Sequence, residues 1–356
     1  MCHARRGVPA LRSTRTILCL CLAAVSWSGL HTATIAAQET QEKVVIVGSG
    51  SYLPFRLYQA WITEFNKSNS SVQLQFLPLG SSESIIQVSH GVGDFGSGEV
   101  PLTDAQLHSS KISLMAIPTA LVGIVPIYNL PGNPELNFSG ELLGEIYLGT
   151  VRNWKDSRIA KLNPNVQFPD LPISVVHRSQ GKGSNYIFTD FLSKTSPEFR
   201  ATVEASPSPG WPRGVEADRS QDMVRIVAST RGAIGYVELS FVANPQVGRG
   251  RVQNAAGHFV RATPASIEAA CTALETSSAF NLRIDMTNAP GKDSYPIASF
   301  TWIYMPAPAP SGRRNALRQF LNWSLLNGQS ITRSLGYVPL PDRVAAKALA
   351  AVNSVQ

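Results

Sequence analysis

Apolar positions along this chain change their spacing from one stretch to the next. Val44–Val47 (VVIV) is an unbroken apolar run, the pattern of a strand buried on both faces. Gly48–Leu53 (GSGSYL) then reads as a loop. Pro54–Asn66 reads as a helix, with Pro54 suited to the first turn and Leu57, Trp61 and Phe65 repeating every four residues on one face. Val72–Leu77 (VQLQFL) alternates as a strand. Gly80-Ser81-Ser82 leads into a second helix through Ile85, Ile86 and Val88, and Asp94–Gly98 opens a third strand unit. Strands alternating with helices predict an α/β fold with a largely parallel sheet.

Ile117–Ile127 (IPTALVGIVPI) is a longer apolar stretch. It fits a core strand, or a segment crossing from one lobe to another with Ile297–Met305 (IASFTWIYM) as the return. On the second reading residues 38–122 with 300–356 form lobe I and residues 123–299 form lobe II, a division in keeping with a chain of 356 residues. The second lobe would hold Leu142–Trp154, a strand at Ile173–His177, a loop at Arg178–Ser184, a helix at Asn185–Lys194 and a strand at Arg231–Leu239. Helices at Asn315–Leu325 and Asp342–Val352 would close the first lobe.

The N-terminus changes the reading of charge and cysteine. Arg5, Arg6, Arg12 and Arg15 precede an apolar run, Thr16–Trp27, and a small-residue stretch, Thr32–Ala37. This is the layout of a secretory signal peptide over residues 1–37, with cleavage expected near Ala37; a membrane anchor is the alternative, and the apolar run is short for one. Cys19 and Cys21 both follow Leu, which does not suit a lipobox. Removing the leader takes four of the 31 basic residues and none of the 24 acidic ones, leaving a formal charge of +3. The whole-chain isoelectric point near 9.3 is therefore partly a leader effect and gives no reason to expect a nucleic-acid partner. Cys2, Cys19 and Cys21 leave with the leader, and Cys271, among Ala269, Ala270, Ala273 and Leu274, is expected to be a buried thiol on a helix face.

Three Gly/Ser-rich loops, Gly48–Leu53, Gly80–Ser82 and Gly181–Ser184, each stand directly before an expected helix. A helix start presents unpaired N–H groups and the positive end of the macrodipole, so it is a ready cradle for an anion. Taken singly, such a loop is more often an ordinary helix cap. Three together, with the forked donors of Arg178 beside the third, suit a small tetrahedral oxyanion. Enzymatic patterns fit poorly. GSGSYL lacks the last glycine of a dinucleotide fingerprint, GKGS is not a P-loop, there is no GxSxG elbow and no HExxH, and His90, His108, His177 and His258 are scattered. No catalytic residue, metal or cofactor is expected.

These segments resemble the PstS family, the periplasmic phosphate-binding proteins of ABC transporters. The resemblance rests on GSGSYLPFRLYQAW (Gly48–Trp61), GSSESI (Gly80–Ile85), DFGSGEVPL (Asp94–Leu102), IYLGTVRNWKDSRIAKLNP (Ile146–Pro164), VVHRSQGKGSNYIFTDFL (Val175–Leu192) and RGAIGYVEL (Arg231–Leu239). It implies a type II periplasmic-binding fold: two α/β lobes, a two-strand hinge, and the ligand in the cleft. It further implies a monomer in the periplasm that captures inorganic phosphate for an ABC transporter permease. Arsenate binding, phosphate sensing and, further off, a phosphatase on the same fold are the alternatives.

The implied ligand set is Tyr52, Leu53, Ser81, Glu99, Arg178, Lys182, Gly183 and Ser184. Tyr52-Leu53 stand where the family has Thr-Phe, so the main-chain donors survive and the hydroxyl does not. Ser81 and Arg178 match family residues. Glu99 replaces an aspartate that accepts a hydrogen bond from a protonated phosphate oxygen, which separates phosphate from fully ionised sulfate. Lys182-Gly183-Ser184 replace Ser-Gly-Thr, and Gln180 replaces the aspartate that partners the arginine. Losing that acid and gaining Lys182 would make the site more positive by two formal charges and favour larger or more highly charged oxyanions. The plainer expectation is that Lys182 points to solvent and offers its N–H alone.

Overall fold

The computed structural model describes residues 43–109, 111–242, 244–278, 280–306 and 311–354; the expected leader at 1–37 lies outside the described residues. Strands β1 (Val44–Gly50), β2 (Val72–Pro78) and β3 (Phe95–Gly98) are linked by helices α1 (Phe55–Ser68) and α2 (Ser81–Ser89). β1 pairs in parallel with both of its neighbours. The apolar spacing of α1 has its physical reason here: Leu57, Tyr58, Trp61, Ile62 and Phe65 are its buried residues. After α3 (Asp104–Ser109) comes β4 (Leu114–Tyr128), 15 residues long and buried at all but one position.

The next stretch holds β5 (Leu136–Phe138), α4 (Gly140–Leu148), α5 (Ser157–Leu162), β6 (Ser174–Arg178), α6 (Gly183–Thr195), α7 (Pro197–Thr202), β7 (Val215–Ala217), α8 (Ser220–Ser229), β8 (Ala233–Glu238), β9 (Gly248–Gln253), β10 (Phe259–Val260) and α9 (Pro264–Glu275). β11 (Ala298–Pro306), α10 (Ser311–Leu326), α11 (Gln329–Ser334) and α12 (Asp342–Ser354) complete the chain.

The main strand order is β2-β1-β3-β11-β4-β8-β6-β7. β4 is the strand common to both sides. Its Leu114–Gly123 portion pairs with β11, and Ile124–Tyr128 pairs with β8. β11 is antiparallel to β3 and to β4, and its register slips between Thr301 and Trp302. A slip of this kind re-aims the side chain beside it, and Thr301 matters below.

The stretch Gly48–Leu53 corrects a sequence expectation. β1 continues through Gly48-Ser49-Gly50, and the loop begins only at Ser51. The glycines serve packing against β3. A Cβ on Gly48 would stand 2.0 Å from the Phe95 ring, and one on Gly50 would stand 2.2 Å from Ser97 Oγ. α6 also starts earlier than expected, at Gly183 rather than Asn185, which puts Gly183 and Ser184 in its first turn.

Candidate anion-binding site

The starts of α1, α2 and α6 come together from separate strands. Gly80, at φ +106°, caps α2, a conformation open to glycine and strained for other residues. The N–H groups of Gly80 and Leu79 both donate to Gly50 O, at 2.9 and 3.0 Å, which fixes the start of α2 to the end of β1. Gly181, at φ +77°, turns the chain into α6. Ser82 N–H donates to Gly181 O at 3.3 Å, so the starts of α2 and α6 touch through main chain.

Main-chain donors are left over at this meeting point. The N–H groups of Tyr52, Ser81, Gly183 and Ser184 donate to no protein acceptor among the described residues. Ser81, Gly183 and Ser184 are buried and Tyr52 is half-buried. Buried unpaired N–H groups are rare in folded proteins because each forgoes its hydrogen bond to water. The other two main-chain donors of the expected set are in use: Leu53 N–H donates to Ser51 Oγ at 3.1 Å, and Lys182 N–H donates to Pro207 O at 3.1 Å.

Glu99 is 0% exposed and stands between these helix starts. Ser81 Oγ donates to its Oε2 at 3.0 Å and Thr301 Oγ1 to its Oε1 at 2.9 Å. Burial raises its pKa to about 7, the nearby Glu238 charge pushes the same way, and the hydroxyls of Ser51, Thr301 and Ser81 hold it down in part. Gly183 lies directly on it: a Cβ there would sit 1.8 Å from Glu99 Oε2 and 2.6 Å from Ser81 Oγ.

Arg178, the last residue of β6, has a side chain 1% exposed. Its Nη1 donates to Ser220 Oγ at 2.9 Å and its Nη2 to Asp218 O at 2.8 Å, while Nε is buried without a partner. Glu238 Oε1 stands 3.9 Å from Nη1 and accepts from Ser220 Oγ at 2.8 Å. The β6–α6 turn is braced by Asn185, whose Nδ2 donates to Ser179 O and whose Oδ1 accepts from Tyr236 OH. Gln180 donates to Pro209 O instead of facing the arginine.

Two expectations are corrected. Lys182 does not point to solvent. Its side chain is 10% exposed, Nζ pairs with Asp218 Oδ1 at 2.8 Å, and the ammonium lies over the Tyr52 ring at 4.3 Å. Nor does the site carry two uncompensated positive charges. Asp218 answers Lys182, and Glu238, at the far end of β8, takes the place of the acid missing at Gln180.

Sequence reasoning missed Ser51, Asp218, Ser220, Glu238 and Thr301. Glu238 did leave a signal, since a carboxylate ending the apolar strand RGAIGYVE calls for a buried cation. Thr301 left none, because its aim depends on the slipped register of β11. Among the described residues there is no cluster of His, Cys, Asp and Glu that would hold a metal ion, and no helix long and apolar enough to cross a membrane.

The sequence profile of the PBP superfamily domain matches residues 35–327. The phosphate-binding protein PstS of Xylella fastidiosa is 33% identical over 92% of this chain and 93% of its own length. That of Pasteurella multocida is 32% identical over 86% and 90%. Among solved structures, a high-affinity periplasmic phosphate-binding protein, PfluDING, bound with phosphate, superposes with a TM-score of 0.67 at 22% identity, covering 86% of this chain and 93% of that one. A putative phosphate ABC transporter substrate-binding protein from Clostridium perfringens, with bound phosphate, gives 0.61 at 20% identity over 83% and 100%. These likenesses are in fold, and the α/β periplasmic-binding-protein fold expected from the sequence is the fold of this chain.

Proposed function

The chain belongs to the PstS family of phosphate-binding proteins, and on that footing we propose that it captures inorganic phosphate and delivers it to an ABC importer. The observation that carries the reading is a set of unpaired donors: the N–H groups of Tyr52, Ser81, Gly183 and Ser184, where the helix starts meet at Glu99, and Nε of Arg178, on the strand that leads into α6. Donors of this kind suit the oxygens of a tetrahedral anion. Glu99 supplies an acceptor. Near neutral pH phosphate retains a proton to donate to it, and sulfate has none.

In this reading residues 38–122 with 300–356, and residues 123–299, are two lobes that close on the anion, with β4 spanning both. Residues 1–37 direct export to the periplasm, and the liganded form docks as a monomer on a membrane permease. The role is binding, a reading supported by the names of the similar proteins, which are phosphate-binding and substrate-binding proteins.

Calorimetry with phosphate, arsenate, sulfate and molybdate tests the proposal. Phosphate and arsenate should bind with one-to-one stoichiometry and without turnover, and sulfate far more weakly. Sulfate binding as tight as phosphate would refute the role of Glu99. Steady turnover of a phosphomonoester would refute the binding-protein reading.

A further inference from the structure

Resting on that reading, we infer that Tyr52 and Lys182 form a clasp over the bound anion that slows its release. Tyr52 follows β1, and Lys182 precedes α6 on the far side of β4 in the strand order. The two residues meet where the helix starts converge, with the Lys182 ammonium 4.3 Å from the centre of the Tyr52 ring. The ammonium is aimed by Asp218 Oδ1, at 2.8 Å, and that carboxylate also accepts from Ser179 Oγ at 2.8 Å. The main-chain carbonyl of Asp218 in turn accepts from Arg178 Nη2 at 2.8 Å. The clasp is thus wired to the arginine of the site through one residue.

A ring alone or an ammonium alone would give no attraction across the gap. Together they make a cation–π contact, largely shielded from water since the lysine side chain is 10% exposed. The contact exists only when the two sides are together. It therefore stabilises the closed form and acts on release, while capture by the open form is left alone.

Stopped-flow measurement of phosphate release and capture tests this. Tyr52→Leu leaves the Lys182–Asp218 pair intact and isolates the ring. It should speed release by between about 3-fold and about 30-fold, with capture changed less than about twofold. Tyr52→Phe, which keeps the π face, should release more slowly than Tyr52→Leu. In a Lys182→Met background, Tyr52→Leu should add nothing. Unchanged release in Tyr52→Leu, or the same acceleration in both backgrounds, overturns the clasp while leaving phosphate binding standing. Wild-type protein that binds no phosphate in the same instrument overturns the functional reading and the clasp with it.

Discussion

Gly183 meets Glu99 with no space for a methyl group, since a Cβ at residue 183 would stand 1.8 Å from Glu99 Oε2. The backbone of Gly183 lies outside the positive-φ set, so alanine is acceptable to the helix itself. Gly183→Ala should therefore fold, and should weaken phosphate binding by about 10- to 100-fold, the usual cost of overpacking a tight contact. Calorimetry beside a thermal melt checks it: wild-type affinity contradicts the close contact as drawn, and an intact melt places the loss at the site and not in the fold.

Glu99 should make stability fall as pH rises. Its folded-state pKa is about 7, against an ordinary 4.5. Between those values the folded chain holds a proton that the unfolded chain has lost, so the benefit is complete below pH 4.5 and gone above about 7. The loss is about 3 kcal/mol for an acid shifted this far. Urea unfolding of the ligand-free protein across that window should show the slope, and Glu99→Gln should flatten it.

Arg178→Ala should weaken phosphate binding by about 3–5 kcal/mol, because it removes a desolvated charge and leaves Glu238 buried beside Ser220 alone. Calorimetry of this variant reads the loss directly.

Glu238→Gln keeps a partner for Ser220 and removes a charge that raises the Glu99 pKa. In this variant the pH window of the Glu99 effect should move toward lower pH, measured by the same unfolding series. A window that stays in place means the two carboxylates do not sense each other.

Cys271 is 0% exposed, and burial pushes its thiol up to about 12. In a chain beginning at Gln38 it is the lone thiol. It should resist a thiol reagent at pH 8 in the native protein and react with one equivalent in urea. Fast native reaction would contradict its burial.

Much of the architecture was legible because the apolar spacing of residues such as Leu57, Trp61 and Phe65 states which face is buried. The converging helix starts were legible for a similar reason: glycine and serine before a helix advertise their geometry. Long-range pairing was not. Gln180 gave no hint that the carboxylate beside Arg178 would come from residue 238, since strand neighbours are set by topology and not by distance along the chain. The role of Gly48 and Gly50 was misread as well. A glycine needed for a flat approach to Phe95 looks, in one dimension, like a glycine needed for a turn. Lys182 was placed wrongly because an isolated lysine is ordinarily hydrated, and its two partners, Tyr52 and Asp218, lie far off in sequence.

The leftover donors at Tyr52, Ser81, Gly183 and Ser184 belong to peptide groups. Every residue except proline carries one, so at residue 52 a change of side chain alters bulk and charge while the N–H group persists. In the proposed clasp, a change of side chain at residue 52 or 182 retunes how fast the protein lets go without rewriting what it recognises. An alanine scan, blind to amides, would leave the proposed role of these groups untouched.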